Sequence, residues 1–211
     1  MVRNSEVMMT TTDDTPEDSR DEVYTGEDWY ARDLSGRTFR DCSFIDCDWT
    51  EVVDDGAVFA GCTFANVMFN ASRHTGAAFT NCTFRNCTFF DVQFTDCKLM
   101  GSQFTRCSFA AFEVDGGDWS FVGLAGAELK QSTFDGVRLR EADLGEAVFT
   151  KAAVTGCDLS GAQLRGAQFT DADLRGSDLS SLEPLTVDLR GALIGVEQAA
   201  VIAVGLGMRV G

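Results

Sequence analysis

The sequence has 211 residues, of which 45% are hydrophobic, and its formal net charge at pH 7 is −16. This length fits one domain with a tail, and the composition is sufficient for a buried core. The acidity argues against direct binding to nucleic acid or to an anionic membrane, and it favours either a basic partner or a well-solvated acidic protein.

The first 28 residues differ in composition from the rest of the chain. Residues 1–28 hold nine acidic residues and two arginines. Because this stretch cannot bury enough apolar area to offset chain entropy, we expect a disordered tail, with a docking arm as the alternative. The N-terminus lacks the apolar core of a signal peptide, and the longest apolar run, near residues 199–204, is too short for a membrane span. We therefore expect a cytoplasmic protein with reduced thiols and no membrane partner.

From Leu34 to Ile194, a large apolar residue recurs at every fifth position in one unbroken register. Thirty of these 33 positions are large and apolar, and they include fourteen of the seventeen phenylalanines. The residue two positions before each of these centres is usually small, and glycine is frequent two positions after it. A period of five fits neither a helix nor a flat strand. It suits a coil that turns a corner every five residues, with one large and one small side chain pointing inward.

The repeats ADLRG (172–176), SDLSS (177–181) and CTFRN (82–86) resemble the consensus of the pentapeptide repeat family. That resemblance implies an all-β fold, a right-handed quadrilateral parallel β-helix with four pentapeptides, or 20 residues, in each coil. We expect residues 29–194 to form about eight coils, which at the ~4.8 Å spacing of paired strands make a rod roughly 40 Å long.

Two polar residues, Asp54 and His74, interrupt the apolar column at a separation of 20 residues. They would therefore lie on the same wall of neighbouring coils. We expect the segments 52–56 and 71–76 to bulge so that both side chains turn outward. His74 is the only histidine, and its sequence neighbours offer no catalytic triad, so a structural role is expected.

The eight cysteines all occupy the small inward position of the repeat, as in FTNCTFRNCTFF (79–90). A reduced cysteine behaves as a small hydrophobic residue, and the spacing lacks the tight pairs of a zinc site. Cys42, Cys62 and Cys82 would stack near disulfide distance, but their parallel orientation and the reducing compartment disfavour bonding. At position 112 a phenylalanine takes the small position while the centre, Val114, is smaller, which conserves core volume.

No catalytic motif is present in the sequence. It has no phosphate-binding GxxxxGK[ST] loop and no HExxH. A repeat rod also places its carboxylates on flat outer walls, outside any water-excluding pocket. We therefore expect no enzyme activity, no catalytic residue, no cofactor and no metal site.

After Ile194 the period stops, and GVEQAAVIAVGLG (195–207) predicts a helix with Gly195 as N-cap and an end at Gly205 or Gly207. This helix is apolar around most of its circumference, so it needs partners on more than one side. The last coil supplies one partner and a second copy of the chain the other. Residues 195–211 are thus predicted to cap the rod and to form a tail-to-tail homodimer, with a capped monomer as the alternative. The predicted interface residues are Val196, Ala199, Ala200, Ile202, Ala203 and Leu206.

Acidic residues are frequent toward the C-terminal half of the repeat. Duplex DNA is also a rod with regularly spaced surface anions, so the geometry permits DNA mimicry, while solvated surface acids are the plainer interpretation. At 20 residues per coil, Asp118, Asp158 and Asp178 share one column, interrupted by Arg138. The predicted partner-binding acids are Asp115, Asp118, Glu141, Asp143, Asp158, Asp171, Asp173, Asp178, Glu183 and Asp188.

Beyond the repeat, three stretches resemble the fluoroquinolone-resistance pentapeptide proteins of the MfpA and Qnr type: NASRHTGAAFTNCTF (70–84), DGGDWSFVGLAG (115–126) and VDLRGALIGVEQAAVIAVGLG (187–207). The resemblance implies a dimeric DNA mimic that binds DNA gyrase where the enzyme would hold DNA, inhibiting it or protecting it from quinolones. The unbroken register shows none of the loops of Qnr proteins, which favours the MfpA-like form. The alternative function is a scaffold that binds an unrelated protein, with acids that only solubilise it.

Overall fold

A computed structural model of the protein describes residues 18–211, so the part of the predicted tail at positions 1–17 lies outside the described residues. The described chain forms seventeen three-residue strands and one helix. The strands are β1 Asp18–Arg20, β2 Val23–Thr25, β3 Thr38–Arg40, β4 Ser43–Ile45, β5 Val53–Asp55, β6 Val58–Ala60, β7 Thr63–Ala65, β8 Arg73–Thr75, β9 Ala78–Thr80, β10 Thr83–Arg85, β11 Thr88–Phe90, β12 Gln93–Thr95, β13 Gln103–Thr105, β14 Ser108–Ala110, β15 Glu113–Asp115, β16 Thr133–Asp135 and β17 Ala153–Thr155, and the helix is α1 Val196–Gly205.

The strands are parallel and pair at a constant offset of 20 residues, which confirms the predicted β-helix with four pentapeptides in each coil. Four walls result. Wall A contains β1-β3-β6-β9 and continues through single bridges to Asp178, and wall B contains β2-β4-β7-β10-β13. Wall C begins at Asp28 and contains β11 and β14, and wall D contains β5-β8-β12-β15-β16-β17 and continues to Leu193.

The large residues of successive coils stack in columns inside the rod. In wall B the Phe44, Phe64 and Phe84 rings lie 5.0 and 4.9 Å apart with nearly parallel planes. This spacing equals the separation of neighbouring strands, so each ring covers the ring of the coil before it. Toward the C-terminus leucines such as Leu139 and Leu159 take over the columns and are equally buried. The predicted inward phase is therefore confirmed along the rod.

The first described coil begins earlier than the predicted boundary at residue 29. Asp18–Arg20 and Val23–Thr25 pair with the next coil, and Tyr24 stacks on Phe44 at 5.0 Å. Residues 18–28 therefore belong to the β-helix and not to a disordered tail, because Tyr24 and Trp29 continue the five-residue register. In this coil the small position is held by charged residues: Glu22, Glu27, Arg32 and Arg37. The Arg32 guanidinium lies 5.3 Å from the centre of the Trp29 ring.

The expected outward bulge at Asp54 and His74 is wrong. Asp54 is 4% exposed and His74 is 1% exposed, and both strands keep the regular register. His74 Nδ1 is hydrogen-bonded to Asp54 Oδ2, and its Nε2 lies 3.0 Å from Ser72 Oγ. A polar group can stay in the core when another buried group satisfies it, and the 20-residue spacing places these two in contact.

The ladder of wall C is interrupted at β14. This strand pairs with β11 on one edge, and no backbone hydrogen bond among the described residues joins its other edge to residues 128–130. Phe112, fully buried in a small position as predicted, packs beside Phe109 at a ring separation of 5.1 Å. The extra ring therefore lies at the interruption, and Cys107 and Phe109 are partly exposed there.

Helix α1 closes the C-terminal end of the rod, with Gly195 as its N-cap as predicted. The buried Gln198 holds it in place: its Oε1 accepts from the Gly195 N–H at 2.7 Å, and its Nε2 donates to the carbonyl oxygens of Leu174 and Ser177. Ile202 packs against the core of the rod. The side-chain amide thus joins the helix to the final coil. Between residues 18 and 211, no helix has the length and apolar character needed to cross a membrane.

Candidate functional site: the acidic surface

The predicted partner-binding acids are not brought together on one wall. Wall A carries Asp118, Asp158 and Asp178, with Glu141 at its corner, and wall B carries Asp143, whereas Glu183 begins an irregular turn that has no bridge to wall B. Asp188 lies on wall C with Asp171 at its corner, and Asp115 and Asp173 lie on wall D. The column of Asp118, Asp158 and Asp178 is confirmed as a column, but the set as a whole is distributed around the rod.

Four of these acids are also paired with arginines. Asp118 accepts from Arg138 at 2.9 Å and Asp158 from Arg140 at 2.5 Å, in both cases between neighbouring coils of wall A. The bidentate pairs Asp173–Arg175 and Asp188–Arg190 form within single repeats. Each of these four carboxylates is therefore balanced by a neighbouring guanidinium, and the pair attracts a distant basic partner only weakly.

These pairs keep the carboxyl groups ionised. Partial burial alone would raise the pKa of Asp158, but hydrogen bonds from Ser160 and Arg140 outweigh it and hold the pKa below its usual value. The balance at Asp118 is the same, with Ser120 and Arg138 as donors. At Asp173 the hydrogen bond from Arg175 is the main cause of the lowered pKa. All three remain anionic at neutral pH.

Wall D carries a group of acids that have no basic partner among the described residues. Asp115 and Asp135 are exposed and lie in one column on neighbouring coils, because β15 and β16 pair in register. Glu113 lies on the same outer surface and accepts from the Gln93 amide at 3.0 Å, and Thr155 donates to Asp135. Asp96 lies at the corner that follows. We call Asp96, Glu113, Asp115 and Asp135 the wall D acids; only Asp115 belongs to the predicted set.

The missed wall D acids could have been found in the sequence. Asp115 and Asp135 are 20 residues apart, the same spacing that identifies the wall A column. The acids of the wall A column lie one position before the large apolar residue of their repeat. Asp115 and Asp135 lie one position after it. Their charge is also uncompensated, because the arginines of this wall, Arg73 and Arg175, pair with Asp91 and Asp173.

The C-terminal helix exposes part of its apolar surface. Among the predicted interface residues, Val196, Ala199 and Leu206 are exposed, whereas Ala200, Ile202 and Ala203 are half-buried in a single chain. Val204, which is not in the predicted set, is 60% exposed, and Met208 and Val210 beyond the helix are also exposed. The inner part of the predicted interface therefore caps the rod, and the outer part is free in one chain.

The cysteines lie in the small inward positions as predicted, and all eight are free thiols. Burial raises the pKa of Cys97 to about 12 and that of Cys157 to about 11. Cys107 differs because it is partly exposed beside the wall C interruption. The thiol of Cys87 can donate to the Cys107 thiolate, which lowers the pKa of Cys107 and raises that of Cys87.

The described residues offer little room for a small ligand. A shallow groove of about 440 Å³ follows the corner between walls D and A, where Gly116, Gly136 and Gly156 follow one another. Arg138 and Arg140 line one side of this groove, and both are already paired, with Asp118 and Asp158. In residues 18–211 no cluster of three or more potential metal ligands occurs.

Comparisons with known proteins agree with this architecture. Residues 87–164 match the family described as pentapeptide repeat region. Full-length QnrB1, a plasmid-mediated fluoroquinolone resistance protein, is similar in structure with a TM-score of 0.78 at 22% identity, over 90% of this chain and 100% of QnrB1. A trypsin-treated variant of QnrB1 gives 0.70 at 22% identity, over 92% and 99% of the two chains.

HetL, a pentapeptide repeat protein involved in heterocyst differentiation regulation in the cyanobacterium Nostoc, is aligned over 84% of this chain and 87% of its own at 19% identity, with a TM-score of 0.44. No curated protein sequence matches the chain. At 22% identity the likeness to QnrB1 establishes the fold. The predicted resemblance to pentapeptide repeat proteins is thereby confirmed.

Proposed function

We propose that this protein is a DNA mimic that binds DNA gyrase in the cytoplasm, inhibits it, and protects it from fluoroquinolones or related topoisomerase poisons. The mechanism is competition by shape and charge, without catalysis. The observation that carries the proposal is the uncompensated acidic surface of wall D. There, neighbouring coils at ~4.8 Å present carboxylates along a straight rod, as a duplex presents phosphates along its axis.

Three further features support this function. The β-helix resembles QnrB1, whose own description is a fluoroquinolone resistance protein. The net charge of −16 attracts a DNA-binding surface, which must itself be basic. Because Asp118, Asp158 and Asp173 are balanced by arginines, the negative field comes mainly from unpaired acids such as Asp115 and Asp135.

The proposal includes a tail-to-tail homodimer through residues 195–211. A second copy would cover the exposed apolar side chains Val196, Val204 and Leu206. Two rods joined in this way would be roughly 80 Å long, given ~4.8 Å for each coil. The wall D acids of both copies would then lie along one extended particle, which lengthens the surface available to gyrase.

A gyrase supercoiling assay tests the proposal, with the wild-type protein expected to inhibit at micromolar concentration and low salt. The triple variant Glu113→Gln, Asp115→Asn, Asp135→Asn should bind gyrase at least about tenfold more weakly and with a shallower salt dependence. The matched control is Asp118→Asn, Asp158→Asn, Asp173→Asn, which changes the net charge equally but alters acids already paired with arginine.

Equal losses in the two triple variants would mean that total charge, and not wall D, determines binding. Absence of both inhibition and drug protection by the wild-type protein would overturn the gyrase proposal. The scaffold function, with an unrelated protein partner and acids that only solubilise the rod, would then take its place.

A further inference from the structure

Phe121 is the one large apolar residue among the described residues that combines a left-handed backbone conformation with solvent exposure. It lies at the corner that follows wall A, with a φ of +61°. Nineteen described residues other than glycine have positive φ, and Phe121 is the only large apolar residue among them. An aromatic side chain is disfavoured in this left-handed conformation, where glycine, asparagine and aspartate are the usual residues.

The Phe121 ring is not part of the stacked aromatic columns inside the rod. Phe121 is 51% exposed, and its ring contacts no other aromatic ring among residues 18–211. Nearly all of the phenylalanines are buried or half-buried inside the rod; the other clear exception is Phe90, which is 60% exposed. Phe90 lies in β11 with ordinary strand geometry, so exposure there carries no backbone cost. About half of the Phe121 side chain is therefore left uncovered by packing within the described residues.

The surroundings of Phe121 leave its ring accessible. Gly101 precedes it in the corner column, and on the adjoining part of wall B the Gln103 side chain lies across Gly123 and donates to the Gly101 carbonyl oxygen, while Ala125 and Gly126 carry no large side chain. On its other side lies Met100, the second apolar residue of this corner, which is 39% exposed. An aromatic ring beside a low surface can enter a pocket on a partner without steric conflict.

The charges near Phe121 indicate the chemistry of that partner. Glu141 follows it in the corner column, and Asp143 lies beside it on wall B; within residues 18–211 neither is paired with a base. Arg140, the nearest cation along wall A, is already bound to Asp158. The free charge around the ring is therefore negative. A complementary surface has an apolar pocket rimmed by basic side chains.

We propose that Phe121, supported by Met100, is an apolar anchor that inserts into a pocket on the basic surface of the protein partner. This inference rests on the proposed function, since gyrase is the partner it commits to. The left-handed corner conformation recurs around the rod and is most costly for a bulky side chain such as that of Phe121. Aromatic side chains are also enriched in binding hot spots. The acids would then steer association, and the ring would slow dissociation.

The test compares gyrase binding by the wild-type protein with that of Phe121→Gly and Phe121→Asn. Both variants remove the ring and suit the left-handed backbone, so the melting temperature should be unchanged or higher. Binding should weaken roughly tenfold or more, mainly through faster dissociation, and its salt dependence should stay that of the wild-type protein. Phe90→Thr, which removes an exposed ring from wall C without relieving strain, is the matched control and should bind normally.

Wild-type affinity in both Phe121 variants would overturn this inference and leave the gyrase function standing. A lowered melting temperature in both would also overturn it, because the ring would then stabilise the fold. Weakening in Phe90→Thr equal to that in the Phe121 variants would show that general surface hydrophobicity is responsible. If the wild-type protein does not bind gyrase, both this inference and the proposed function fail.

Discussion

His74 Nδ1 is hydrogen-bonded to Asp54 Oδ2 across neighbouring coils of wall D, and both side chains are completely buried. The imidazole stacks on Phe94 at 4.8 Å and meets the edge of Phe79 at 5.3 Å. The pair thus lies inside the aromatic core, where Asp54 depends on His74 for its polar side-chain partner and His74 has Ser72 as a second partner.

Removing one member of this pair should destabilise the protein strongly. His74→Phe leaves the buried Asp54 carboxyl without its partner, and a cost of about 3–5 kcal/mol is expected. The double variant Asp54→Leu, His74→Phe restores the apolar column and should unfold near the wild-type urea midpoint. Equilibrium urea unfolding measures both. A wild-type midpoint in His74→Phe alone would contradict the prediction.

Charged substitutions at two positions of α1 should distinguish the proposed dimer contact from the contact that caps the rod. Val204→Asp places a carboxylate on the outer, exposed surface of the helix, so it should yield monomers by light scattering with little change in melting temperature. Ile202→Asp instead disturbs the contact with the core and should lower the melting temperature. A wild-type protein that is monomeric at micromolar concentration would refute the dimer.

Cys107 should be the first cysteine to react with iodoacetamide. It is partly exposed and its pKa is lowered by the thiol of Cys87, whereas burial raises the pKa of Cys97 to about 12. Because the thiolate is the reactive form, labelling of the folded protein at pH 8 should modify Cys107 well before Cys97 or Cys157. Peptide mass spectrometry after timed labelling measures the order. Equal labelling rates at Cys107, Cys97 and Cys157 would contradict the prediction that Cys107 is the more exposed and more acidic thiol.

The ion pair of Asp158 should stabilise the fold in a defined pH range. Its pKa in the folded state is below that of the unfolded chain, so its contribution is present above about pH 4 and is lost as the pH falls through the folded value. The difference in urea midpoint between the wild-type protein and Asp158→Asn should therefore be constant from pH 7 to pH 5 and should shrink below pH 4. A difference that disappears between pH 7 and pH 5 would contradict this assignment.

The sequence determined most of the fold because the repeat specifies two things at once. Every fifth position faces the core, and every twentieth position lies on the same wall, so the repeat alone is enough to place Phe44 in contact with Phe64. The same rule applied to Asp54 and His74 would have put them in contact. A polar residue considered alone belongs outside, and only the pair makes burial favourable.

The candidate site was less predictable than the fold. Whether a carboxylate is free depends on side chains two, eighteen or twenty positions away, as for Asp158 with Arg140 at a separation of eighteen, and these pairings depend on rotamers that the repeat does not specify. The hydrogen bonds of Gln198 could not be predicted either. Its side-chain amide reaches the Leu174 and Ser177 carbonyl oxygens only because α1 folds back over the last coil. The predicted interface residue Ile202 belongs to the cap for the same reason.

The charged first coil has a consequence for assembly. A β-helix that ended in apolar side chains at both ends could add copies indefinitely and grow into a filament. In the first described coil, Glu22, Glu27, Arg32 and Arg37 take the position that small residues hold elsewhere, so stacking another coil on residues 18–37 would bury charged side chains. Addition of a further copy at this coil is therefore disfavoured, and the association proposed through α1 would stop at a particle of two chains.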